Sequence, residues 1–140
     1  MPTVTPPWTY SLQLPHDPRS PGIARATLRT ILSARLLAEL TPTAELLAAE
    51  LLANAHLHTS GPYALRLRSA ESGGVRVGVW DTDPHVPSGF VLAEGLSTVV
   101  PPDLGGENGR GLHLLRAYAD TWGVTELGGS GGKVLWAECQ

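Results

Sequence analysis

The alternation of apolar and polar positions divides the chain into segments of two periods. Between residues 44 and 55 the apolar side chains are Ala44, Leu47, Ala48, Leu51, Leu52 and Ala55, the spacing of an amphipathic helix. Thr41-Pro42 predicts its start, a hydroxyl cap followed by proline in the first turn, and Ser60-Gly61-Pro62 its end. Another helix is expected over about 21–39, with Ala24, Leu28, Ile31 and Leu32 on one face and Arg25, Arg29 and Arg35 mostly off it. Period-two alternation predicts a half-buried strand at Trp8, Tyr10, Leu12 and Leu14. Tyr63, Leu65 and Leu67 alternate with Arg66 and Arg68, and Val75, Val77 and Val79 with Arg76 and Gly78. Joined by Glu71-Ser72-Gly73-Gly74, these two runs read as a β-hairpin. Gly109-Arg110-Gly111 opens a short helix with Leu112, Leu115 and Ala119 inward. Trp122, Val124 and Leu127 predict a strand, and Val134 to Glu138 a closing strand after a turn at Gly128 to Gly132. This order, β-α-α-β-β-loop-α-β-β, predicts an α/β fold: a two-layer sandwich in which one mixed, mostly antiparallel sheet is covered by helices on one face.

Composition narrows the class. The chain has 140 residues, 42% hydrophobic and 16% charged, with a net charge of −3. That suits a single domain at 8–140 behind a leader at 1–7 carrying three prolines. No basic surplus argues for direct nucleic-acid binding. No apolar run approaches the roughly 18 residues that span a bilayer, and no signal-peptide pattern opens the chain. The lone Cys139 forms no internal disulfide, which fits an expected cytoplasmic protein. Nine arginines accompany a single lysine, Lys133.

Three polar features stand out jointly. At about 100° per residue, Asn54 lies roughly 20° beyond the Leu47 edge of the apolar stripe, and Glu50 roughly 40° further round. A carboxylate and a carboxamide one turn apart thus sit at the margin of a buried face. A carboxylate there can take a proton from an attacking hydroxyl or water, and a carboxamide oxygen can ligate Mg²⁺. Asp81 shares the face of Val75, Val77 and Val79, so it points inward at a strand end and needs a partner. It is suited to accept from the exocyclic amine of adenine, a bond that guanine's carbonyl cannot make. The run Gly105-Gly106-Glu107-Asn108-Gly109-Arg110-Gly111 feeds a helix N-terminus, where unpaired N–H groups bind phosphate. Residues 82–109, with four prolines, five glycines and no sustained period, form a loop of a length that is usually functional or mobile.

Other patterns carry less. Gly129-Ser130-Gly131-Gly132-Lys133-Val134 fails as a phosphate loop, because Leu127 and Val134 stand where glycine and a hydroxyl belong. His56 and His58, two apart on a helix, cannot chelate one ion together, and His58 is expected in the core. The tryptophans are expected in the core, and Lys133 is expected as a solvated turn charge.

The segments Glu50-Leu51-Leu52-Ala53-Asn54-Ala55, Asp81 after its Val-rich strand, Gly109-Arg110-Gly111-Leu112 and Gly132-Lys133-Val134-Leu135-Trp136-Ala137-Glu138 occur in a telling order. They resemble the N box, G1 box, G2 box and closing strand of the GHKL ATPases. With Ala119-Asp120-Thr121-Trp122-Gly123, the compact form is most similar to the anti-sigma-factor serine-kinase branch. Over about residues 8–138 the resemblance implies the Bergerat ATP-binding fold, with ATP and Mg²⁺ as cofactors. It implies Glu50 as general base, Asn54 as Mg²⁺ ligand and Asp81 as the adenine contact, with Gly109, Arg110, Gly111 and Leu112 at the phosphates under a mobile lid at 82–108. It implies transfer of the γ-phosphoryl to a serine or threonine of a small antagonist protein, and a homodimer able to hold a sigma factor.

The chain departs from the wider family at two places. The G1 pattern Asp-x-Gly-x-Gly reads Asp81-Thr82-Asp83-Pro84-His85, without either glycine. Val134 is expected where relatives carry a threonine that supports the adenine contact; losing one hydrogen bond costs about 1 kcal/mol, roughly five-fold in affinity. These departures motivate an alternative of another class, a nucleotide-sensing or partner-binding module without turnover. Retention of both Glu50 and Asn54 favours the kinase expectation.

Overall fold

The computed structural model describes residues 6–83, 85, 115, 117–128 and 131–140. Five of its segments are extended: β1 (Thr9–Leu14), β2 (Tyr63–Ser69), β3 (Val75–Asp81), β4 (Thr121–Glu126) and β5 (Lys133–Cys139). They form one sheet in the order β1-β2-β3-β5-β4, and every neighbouring pair is antiparallel. Two long helices, α1 (Ser20–Ala34) and α2 (Thr41–His58), pack against one another, and α2 lies on β3. Leu115, Ala117 and Tyr118 are helical as well, with Leu115 buried. The architecture is the expected α/β sandwich, and its described strands are wholly antiparallel.

Side-chain parity sorts the two faces of the sheet. Tyr63, Leu65 and Leu67 of β2, Val75, Val77 and Val79 of β3, and Leu135, Ala137 and Cys139 of β5 are buried in the core beneath the helices. From α2 the core receives Ala44, Leu47, Ala48, Leu51, Leu52 and Ala55, the six apolar positions that the periodicity marked. From α1 it receives Ala24, Leu28, Ile31 and Leu32. The hairpin forms where expected, with Ser69 opposite Val75 and Gly73 at φ +101°.

Three boundaries differ from expectation. Helix α1 stops at Ala34 rather than near 39, because Leu36 turns to φ +60° and the Leu37 N–H closes back on the Leu32 carbonyl at 2.8 Å. A 3-10 turn at Ala38–Leu40 then runs directly into α2. Its N-cap is consequently Leu40 with no side-chain cap; Thr41 is already helical, and Pro42 occupies the first turn as expected. Leu127 lies outside β4 and is exposed.

Candidate functional site

Helix α2 carries Glu50 and Asn54, both half-buried where its apolar face meets its solvent face. Among the described residues neither side chain has a hydrogen-bond or ion-pair partner. Burial pushes the Glu50 carboxyl above its ordinary pKa. A partly desolvated carboxylate without a partner is suited to accept a proton, since neither charge nor hydrogen bond holds it in the ionised form. The unengaged carboxamide one turn later offers a neutral oxygen of the kind that a hydrated divalent cation takes.

The C-terminal end of α2 is held from three sides. His16, between β1 and α1, donates from Nε2 to the His56 carbonyl at 2.8 Å, and its ring stacks on that of His56 at 4.1 Å. His56 Nδ1 is hydrogen-bonded to the Tyr63 hydroxyl at 2.9 Å, and the Thr59 hydroxyl bonds the Ala55 carbonyl at 2.7 Å. These contacts fix the turn that presents Asn54. No periodic signal marks them, because His16, His56 and Tyr63 come from three separate segments. His58, expected in the core, is exposed: it ends α2, past the last buried residue, Ala55.

Asp81 ends β3 pointing inward, as parity predicted, and is 1% exposed. Its partner is Lys133. The two residues are directly opposite in the β3–β5 ladder, and Lys133 Nζ donates to Asp81 Oδ1 at 2.7 Å. The same ammonium donates to the Asp83 carbonyl at 2.7 Å, and the Asp83 N–H donates to Asp81 Oδ1 at 2.9 Å. Lys133 is therefore a buried ion-pair residue, 2% exposed, and not the solvated turn charge expected. Val134 lies on the other face of β5, so the position that meets Asp81 is Lys133 rather than Val134. Parity along β5 carried the signal: Lys133, Leu135, Ala137 and Cys139 share one face.

Just past α2, Gly61 stands close enough to Thr82 that a Cβ there would lie 3.7 Å from the threonine hydroxyl. The strand end bearing Asp81 thus comes near the segment just past α2; Asp81 faces the helix-covered side of the sheet, and α2, which carries Glu50 and Asn54, packs on β3. The expected phosphate residues Gly109, Arg110, Gly111 and Leu112 lie outside the described residues, as does all of the expected lid apart from Thr82, Asp83 and His85. Among the described residues no group of three or more His, Cys, Asp or Glu side chains is placed to hold a metal ion, and no helix is long and apolar enough to cross a membrane. A cavity of about 520 Å³ opens at the other end of β3, beside Trp8, Arg35 and the hairpin turn, and holds none of these candidates.

Residues 14–138 match the family described as Histidine kinase-like ATPase domain. An uncharacterized protein of Streptomyces coelicolor strain A3(2) is 45% identical over 67 residues, which cover 48% of this chain and 56% of that protein. The chain thus spans little more than half the length of that relative. Matched over nearly its whole length and folded as a helix-covered antiparallel sheet, the chain belongs to the histidine kinase-like ATPase domain family of the GHKL superfamily, whose domains bind ATP.

Proposed function

We propose that this protein is an ATP- and Mg²⁺-binding regulatory domain, similar to the anti-sigma-factor kinases, that phosphorylates a serine or threonine on a small antagonist protein. The observation that carries the reading is the pair Glu50 and Asn54, half-buried, without a partner among the described residues and one turn apart on a helix whose end is pinned. The residues fit the groups they would serve. Asn54 would hold Mg²⁺ through its amide oxygen, and the cation would offset charge on the phosphates. Glu50 would take the proton of the attacking hydroxyl as its oxygen bonds to the γ-phosphorus and ADP leaves. With Lys133 and the Asp83 N–H on Asp81 Oδ1, Oδ2 is the oxygen left for the adenine amine. Gly109, Arg110, Gly111 and Leu112 would receive the phosphates, and a cytoplasmic homodimer would present the site to an antagonist or a sigma factor.

A second reading rests on Lys133. An adenine contact already neutralised and buried suits a module that binds nucleotide weakly, or only a partner protein, and turns nothing over. Glu50→Gln separates the two readings. In the kinase reading the variant keeps ATP binding and loses transfer to candidate antagonists by about 10²-fold or more. Unchanged transfer removes Glu50 from the base role. Binding that stays fully Mg²⁺-dependent in Asn54→Ala counts against Asn54 as the ligand.

A further inference from the structure

The face of the sheet turned away from the helices has its own composition. The ladder sets its outward residues in rows: Thr9, Arg68, Arg76, Glu138 and Thr121 in one, Ser11, Arg66, Gly78, Trp136 and Gly123 in the next. Among the described residues, Arg66, Arg68 and Arg76 thus share these two rows with one acidic residue, Glu138, on a chain whose net charge is negative. Arg76 is paired with Glu138 at 2.6 Å and stacks on the Trp136 ring at 3.7 Å. Among the described residues Arg66 and Arg68 have no ion-pair partner.

Between these arginines the surface is hollow. Gly78 forms a floor without a side chain, and Val134 and Trp136 rise beside it to enclose about 250 Å³. That is below the roughly 300–1,000 Å³ of a typical small-molecule site, and enough for an anchoring side chain or two. The hollow runs across the strands as a track from Thr125 past Arg66 and Arg68 to Thr9, where it borders the 520 Å³ cavity whose lining includes Arg35 and the acidic Glu71. Trp136 was expected in the core; on this face it is half-buried and supplies an apolar wall.

We infer that this track docks an extended acidic segment of a partner protein, with carboxylates on Arg66 and Arg68 and an apolar side chain over Gly78 against Trp136. Charge complementarity selects this occupant. Nucleic acid would meet a patch too small to neutralise many phosphates. The track lies across the sheet from Glu50, Asn54 and Asp81, so this inference does not depend on the nucleotide reading.

The test uses the full chain without nucleotide. Binding of a short fluorescein-labelled peptide of Glu and Asp with a central leucine is followed by anisotropy at low salt. The wild type should bind it, weaken as salt rises, and bind the version with glycine for leucine less tightly. The double variant Arg66→Glu/Arg68→Glu, shown by circular dichroism to be folded, should bind about tenfold or more weakly. No binding by the wild type, equal binding by the folded double variant, or tighter binding of a single-stranded oligonucleotide of equal charge would each overturn the inference. Nucleotide-induced stabilisation measured on the same double variant reports separately on the other face.

Discussion

Lys133 and Asp81 are each about 2% exposed, and each removes the cost of burying the other. Lys133→Met would leave the Asp81 carboxylate buried and uncompensated, so we expect a loss of about 3–5 kcal/mol in denaturant unfolding. Asp81→Asn combined with Lys133→Met removes both charges and should lose far less. A double loss equal to the sum of the two single losses would show that the pair is not coupled. Glu50 works in the opposite sense. Burial raises its pKa above the ordinary 4.5, so the native state binds its proton more tightly than the unfolded chain does. Stability therefore falls as pH rises through the unfolded and then the folded pKa, and the penalty is complete above the latter. Glu50→Gln removes it. The variant should be modestly more stable than wild type at pH 7, with the difference vanishing as the pH falls below the unfolded value; a variant less stable at pH 7 would contradict this.

Among the elements, β5 joins the site to the sheet, and its start depends on Gly132. That residue sits at φ +82°, and a Cβ on it would lie 2.1 Å from the Asp81 carbonyl oxygen. The neighbouring Gly131 carbonyl accepts the Trp80 indole N–H at 2.8 Å, and the Gly132 carbonyl accepts the Leu127 N–H at 3.0 Å. Gly132→Ala meets both an unfavourable φ and backbone, so it should lose more than about 1 kcal/mol and move Lys133 away from Asp81. Chemical denaturation checks the first expectation, and the lysine side-chain NMR signal checks the second. An unchanged midpoint would mean that the turn relaxes freely.

The same elements show what a one-dimensional pattern can hold. The buried face of α2 was legible because six apolar positions repeat within one segment, and Asp81 pointed inward because parity along β3 is local. Its partner was not legible, since that contact needs β5 to lie beside β3, and the two residues are 52 apart in sequence. Trp80 and Trp136 were expected in the core for a related reason. Their parity is that of Arg76 and Glu138, which places them on the outward face, but residue type suggested burial. His16, His56 and Tyr63 meet only after three segments have folded.

At the scale of the whole molecule, the sheet separates two surfaces. One lies under the helices, where α2, which carries Glu50 and Asn54, covers the strand that ends in the Asp81–Lys133 pair; the other carries the arginines around Gly78 and Trp136. Substitutions on the second should leave ligand effects at the first unchanged. Nucleotide binding at the first surface is open to thermal unfolding with ATP, in the presence and absence of Mg²⁺. A ligand at a hundred times its dissociation constant stabilises the folded state by about 2.7 kcal/mol. Tm should rise with ATP, rise further with Mg²⁺, and lose that Mg²⁺ increment in Asn54→Ala. No change in Tm at millimolar nucleotide, with or without Mg²⁺, would contradict that binding.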